Sequence, residues 1–277
     1  MKKYLIFAFF PFLLYACTVV GVLDDDNVRV EERETMDFSS SQIQKIEVRT
    51  KNGAIESRVW DDDSIHVVFE KWATGDYTEE AEDNLDDIEI HVREDTASKV
   101  LDIEIETPAY TGANYGCNVY LDIPASLFLD FRSSNGSITV LESQNGVKCT
   151  TSNGAITILD TEGPAELKTS NGMIKVRNHY GELDVETSNG AIDADVVLPR
   201  YGQCELKTSN GAITLSIPDE TSAMIEASTS NGRVEIRGLD VDVIRMEKKG
   251  FNVKMGKGEG DIGIETSNGN ILVKGST

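Results

Sequence analysis

The sequence predicts an all-β protein whose larger part is a parallel β-solenoid, right-handed and β-helix-like, with rungs of about 18–21 residues. Three observations carry this. The triplet Ser-Asn-Gly recurs at Asn135, Asn153, Asn171, Asn189, Asn210, Asn231 and Asn268, at intervals of 18, 18, 18, 21, 21 and 37 residues. A fixed period of this size marks a repeat architecture. Apolar and polar residues alternate around each triplet, as with Leu183 and Val185 before Asn189 and Ile192 and Ala194 after it, the pattern of half-buried strands flanking a turn. Thr stands before nearly every triplet, at Thr151, Thr169, Thr187, Thr208, Thr229 and Thr266. A meander of antiparallel hairpins also fits the alternation, since Asn-Gly is a strong hairpin signal, but any good turn would serve a meander. Like residues at like positions are favoured when rungs stack about 4.8 Å apart and asparagine amides bond up a column. Asn and Gly also tolerate positive φ, which suits a corner. Parallel crossovers wind right-handed by default.

In chain order, residues 1–17 read as a lipoprotein signal peptide. Lys2 and Lys3 precede an apolar run starting at Tyr4, too short to span a bilayer comfortably. Leu14-Tyr15-Ala16-Cys17 resembles a bacterial lipobox, which makes Cys17 the lipidation site. Thr18 stands where an inner-membrane retention Asp would, so the outer membrane is expected if the organism has one. Residues 18–40, with Asp24-Asp25-Asp26, Glu31-Glu32 and Ser39-Ser40-Ser41, read as an acidic tether.

Residues 41–127 read as an irregular β region capping the solenoid. The triplet's core recurs once there, at Asn52-Gly53, with Ile46 and Val48 before it and Ile55 after it. Strands are expected over 64–72, 88–93, 99–106 and 117–123, and a short helix from Thr78, with Thr78 as its cap and acids in its first turn. Residues 128–277 form the repeat solenoid. The 37-residue interval is read as two rungs, the first degenerate, in which Ile244, Met246, Val253 and Met255 flank Lys249-Gly250.

Thr-Ser-Asn-Gly-Ala-Ile at this period, after segments such as Val59-Trp60-Asp61 and Leu85-Asp86-Asp87-Ile88-Glu89-Ile90, resembles a bacterial family called the putative adhesins, a β-strand-repeat domain of unknown function. The resemblance spans roughly residues 43–275. It implies a β-solenoid and an envelope location, and supplies no catalytic residues.

Charge narrows the function. Twenty-six Lys and Arg against 48 Asp and Glu give a formal net charge of −22, which repels nucleic acid and anionic polymers. The expected role is non-enzymatic binding, adhesion or scaffolding on the cell envelope, outside the cytoplasm. The expected partners are the membrane, through the lipid anchor, and an envelope protein or a surface glycan. An envelope sensory or assembly accessory is the alternative, and a carbohydrate-active β-helix enzyme the more distant one. No cofactor is expected. The one speculative metal site is a column of Asp184, Glu205 and Glu226, five residues before their asparagines, where stacked carboxylates invite calcium. The acidic runs Asp61-Asp62-Asp63 and Gly258-Glu259-Gly260-Asp261 read as turns, and His66, His91 and His179 as isolated strand-surface residues. Cys149 and Cys204 occupy inward positions three rungs apart, about 14 Å, beyond disulfide reach.

Overall fold

The computed structural model describes residues 16–17, 28–108 and 114–276. The leader expected over 1–17 lies outside the described residues except for the backbone of Ala16–Cys17, which runs antiparallel to Glu32 and Arg33.

Two twelve-stranded sheets enclose one apolar core. Each rung contributes one strand to each sheet, with Ser-Asn-Gly at the corner between them. The rung Leu183–Thr187 to Ile192–Val197 stacks in parallel on Ala165–Thr169 and Ile174–Tyr180, its own period earlier. The same register recurs one unit before, with Val147 opposite Ala165 and Ile156 opposite Ile174. The alternation in the sequence becomes alternation of burial: Leu183, Val185, Ile192 and Ala194 are buried, and Asp184, Glu186 and Asp193 face outward. The parallel solenoid therefore stands, and the meander does not.

The stack departs from chain order at both ends. At the N-terminal end Lys45–Thr50 and Ile55–Val59 pair directly with Phe128–Ser133 and Ile138–Leu141. Residues 45–59 are thus a regular rung, and the expected boundary at 127/128 does not separate cap from solenoid. Beneath that rung lies another, built from Val100–Glu106 and Tyr115–Ile123. At the C-terminal end, the last rung, Gly260–Thr266 with Ile271–Gly275, is inserted between Gln203–Thr208 with Ile213–Ile217 and Ala223–Thr229 with Val234–Arg237. The segment expected to be a degenerate rung is instead an antiparallel hairpin. Asp242–Glu247 pairs with Gly250–Met255, which pairs antiparallel with Ala223–Thr229. Val253, Phe251 and Met255 are buried beneath the hairpin, whereas Val243, Ile244 and Met246 are exposed on its outer strand.

The tether expectation fails over its second half. Val28–Ser39 is a twelve-residue strand, antiparallel to Ser64–Gly75 along its whole length. Two acids at inward parity obscure its alternation. Glu32 and Glu34 hold the buried Lys71 at 2.6 and 2.8 Å, so an ion cluster replaces apolar contact there. The helix runs Thr78–Asp86, with Tyr77 rather than Thr78 at the N-cap. Its Glu80 carboxylate accepts from the Asp76 N–H at 2.8 Å, which ties the first turn to the residue before the cap.

Candidate functional site

The seven predicted asparagines form a single side-chain ladder. Asn153 donates to Asn135 at 2.7 Å, Asn171 to Asn153 at 2.8 Å, Asn189 to Asn171 at 2.9 Å and Asn210 to Asn189 at 2.9 Å. Asn135 donates in turn to Asn52 of the N-terminal rung at 2.6 Å. Beyond Asn210 the order follows the insertion: Asn268 donates to Asn210, and Asn231 to Asn268.

The motif does not serve the left-handed corner that its Asn-Gly pair suggests. None of these asparagines or their glycines has positive φ. The glycines are there for clearance. A Cβ on Gly172 would lie 1.8 Å from the Gly154 carbonyl oxygen, and one on Gly190 would lie 1.8 Å from that of Gly172. The threonine explains the rest. Thr187 Oγ1 donates to the Gly172 carbonyl at 3.1 Å, and Thr169 does the same to Gly154 at 3.0 Å, both buried. Thr, Asn and Gly thus form one inter-rung joint: a buried hydroxyl caps the carbonyl that the glycine exposes, and the amide spans to the next rung. Positive φ occurs at the opposite corner, at Glu142, Asp160 and Asn178, one per rung.

The acidic column is not as predicted. Asp184 and Glu205 are neighbours, but Gly263 of the inserted rung lies between Glu205 and Glu226. Lys168 lies 3.4 Å from Asp184 and Lys207 lies 2.5 Å from Glu205, so neighbouring lysines neutralise the two acids. The histidines are not alike either. His179 is fully buried, its Nδ1 2.9 Å from Thr161 Oγ1 and its Nε2 3.2 Å from the Glu182 carbonyl. A register shift after Val176 and the left-handed Asn178 turn it inward, and burial pushes its pKa down. Cys117, Cys149 and Cys204 are free and buried, as the spacing of the latter two requires. Burial pushes the Cys117 and Cys204 thiols up to about 12, which leaves them without thiolate reactivity at neutral pH.

A concavity of about 380 Å³ lies on the outer face of the N-terminal end. Register explains it. Four adjacent strands, Val28–Ser39, Ser64–Gly75, Tyr115–Ile123 and Ile55–Val59, align their outward residues in rows. One row runs Thr35, Val68, Tyr120, Glu56; the next runs Asp37, His66, Asp122, Arg58; Arg33 and Glu70 lie on the other side. Val68 and Tyr120 form the floor, and charged groups form the rim. Arg58 makes a two-nitrogen contact with Asp122, whose hydrogen bond holds the guanidinium's pKa up. Asp37 lies 2.7 Å from His66 Nδ1, and Trp60 packs against the His66 ring at 5.9 Å between centroids. Burial and the adjoining Glu70 carboxylate push the Tyr120 phenol up, so Tyr120 stays a neutral donor at an aromatic face. An aromatic floor inside a rim of fixed donors and acceptors is suited to a polyhydroxylated ligand, which offers apolar C–H faces and many hydroxyls. The sequence contained only the outward parity of these residues; the rows exist once register joins strands far apart in the chain.

Fold and site together define a two-sheet β-solenoid of stacked Thr-Ser-Asn-Gly rungs with an open polar groove at one end. The chain belongs to the Toastrack family of domains of unknown function, DUF4097, whose sequence profile matches residues 26–274. Similar solved structures include a putative cell adhesion protein from Clostridium sporogenes, with 13% identity and a TM-score of 0.41 over 89% of this chain and 100% of that one. A putative adhesin from Bacteroides fragilis has 11% identity and a TM-score of 0.40 over 88% of this chain and 97% of that one. A putative lipid binding protein from Parabacteroides distasonis has 10% identity and a TM-score of 0.33 over 88% and 97%. No curated protein matches the chain.

Proposed function

We propose that this chain is a lipid-anchored envelope protein that binds a surface glycan, without cleaving it, in the groove floored by Val68 and Tyr120. The observation that carries this reading is the four-strand row of outward side chains, which sets an aromatic face among Arg33, Arg58, Glu56, Glu70 and Asp122. The rigid solenoid holds that row in place. The lipobox-like Leu14-Tyr15-Ala16-Cys17 supports the anchor.

The test is a glycan panel against the full chain, with product analysis for each ligand retained. Tyr120→Ala and Arg33→Ala should each abolish retention while leaving the unfolding midpoint near wild type. Chain cleavage of a retained glycan would overturn the non-enzymatic reading; retention indifferent to both substitutions would overturn the site. Cys17→Ser should release the protein from the detergent phase, and unchanged partitioning would refute the anchor. A second reading, an envelope protein as partner, draws on the exposed Val243, Ile244 and Met246 at the far end; crosslinking from these positions in cells tests it.

A further inference from the structure

We propose that Glu89, His91 and Glu106 form a surface site for a first-row divalent transition ion of the zinc class. The three lie on the outer face of the hairpin formed by Glu89–Asp95 and Val100–Glu106, at the free edge of the sheet that does not carry the groove. Glu89 stands directly opposite Glu106, and His91 is two residues along the same strand. Strand alternation therefore points all three the same way, while Ile90 and Val92 face the core. Their potential ligand atoms all lie within 4.8 Å of one another, the one such trio among the described residues.

Local charge singles out this trio. Like charges directly opposite each other on adjacent strands are destabilising. The other outward acids of Val100–Glu106 have cations: Arg93 lies 2.7 Å from Asp102, and Arg49 lies 2.7 Å from Asp102 and 3.2 Å from Glu104. The cations stop one residue pair short of Glu89 and Glu106. Only the imidazole of His91 stands between those carboxylates, 3.1 Å from Glu89 and 3.8 Å from Glu106.

The spacing suits a metal. Ligand atoms bound about 2.1 Å from a tetrahedral zinc sit roughly 3.4 Å from one another, and the two measured separations bracket that value. An imidazole with two carboxylates favours zinc or copper over calcium, which takes six to eight oxygens. The three side chains are half-exposed or more, so the remaining coordination positions are open to water. The ion would neutralise the opposed acids and fasten the outermost strand to its neighbour.

The site is tested with the full chain in detergent, titrated with zinc chloride by calorimetry in excess calcium chloride. Wild type should bind one zinc saturably below millimolar concentration, and His91→Gln and Glu106→Gln should each weaken binding by about tenfold or more. His66→Gln should bind as wild type does. Cobalt should give a visible absorption band that His91→Gln abolishes. Absence of saturable zinc binding, or equal binding by wild type and both site variants, overturns the proposal. Thermal melts without metal check that the variants are folded, and both substitutions are at exposed positions.

Discussion

The side-chain amide of Asn231 donates to Asn268 at 2.9 Å, and Asn268 donates to Asn210 at 2.8 Å. The last rung in the chain thus separates two rungs that precede it, and strands Gln203–Thr208 and Ala223–Thr229 meet only through Gly260–Thr266. A chain ending at Met255 loses this shared partner. Hydrogen exchange should then accelerate across 223–237, with 147–197 still protected, because local opening follows loss of ladder bonds. Unchanged protection would mean that Ala223–Thr229 docks directly on Gln203–Thr208 and that the inserted rung is dispensable.

Clearance at the corner predicts a ranking of substitutions. Gly172→Ala puts a methyl group on the Gly154 carbonyl and should cost about 3 kcal/mol or more, since backbone must move in two rungs. Asn189→Ala removes one ladder bond and leaves its neighbours short of partners, and should cost roughly 1–3 kcal/mol. Thr187→Val, which orphans the buried Gly172 carbonyl, should fall in that same range of roughly 1–3 kcal/mol. Urea unfolding midpoints measure all three; a Gly172→Ala protein no less stable than Asn189→Ala would contradict the close-approach account.

The opposite corner offers a gain. Glu142 holds φ at 61°, a conformation that costs an ordinary side chain about 1–2 kcal/mol and that Asn tolerates better. Asn178, two rungs along, already uses that geometry and donates to Asp160 at 2.8 Å. Glu142→Asn should therefore stabilise by roughly 0.5–1 kcal/mol. A lower melting temperature for the variant would show that the Glu142 side chain contributes more than its backbone strain costs.

His179 makes stability depend on pH in a defined direction. Its pKa in the folded chain lies below the ordinary 6.5, because burial disfavours the imidazolium. Above 6.5 both folded and unfolded states hold it neutral, and it contributes no slope. As pH falls below 6.5 the unfolded chain takes up a proton that the folded chain refuses, so stability falls until the folded value is passed. His179→Gln should lose this slope, whatever its absolute stability. Equal slopes for wild type and variant between about pH 6.5 and 5 would show that His179 does not set the acid sensitivity there; Asp130, whose pKa is held below the ordinary 3.8 by Arg132 and Lys45 despite burial, acts only at lower pH.

The repeats were legible in the sequence because each rung writes the same residues at the same place, so strand positions and the asparagine column followed from spacing alone. The role of glycine was not, since clearance against another rung's carbonyl and freedom of φ select the same residue. Stacking order was not legible either: the units around Asn210, Asn231 and Asn268 carry the same motif, and nothing in Thr-Ser-Asn-Gly says which neighbour it meets. Val28–Ser39 was hidden by Glu32 and Glu34, whose inward parity makes sense only once Lys71 is found between them. His179 was misplaced because one left-handed residue, Asn178, reverses the parity that the preceding alternation sets up. The groove and the Glu89–His91–Glu106 trio depend on pairings between strands, which a period along the chain does not encode.

The out-of-order ends also determine where the molecule can grow. In the middle, residue 147 meets residue 165 and residue 165 meets residue 183 in identical register, so an in-frame duplication of one 18-residue unit there adds a rung and about 4.8 Å of length without disturbing its neighbours. A duplication at either terminus would have to thread a new strand past one that arrives from elsewhere in the chain. Length is thus a variable set in whole rungs from the interior, while the two ends, and the surfaces they carry, stay fixed.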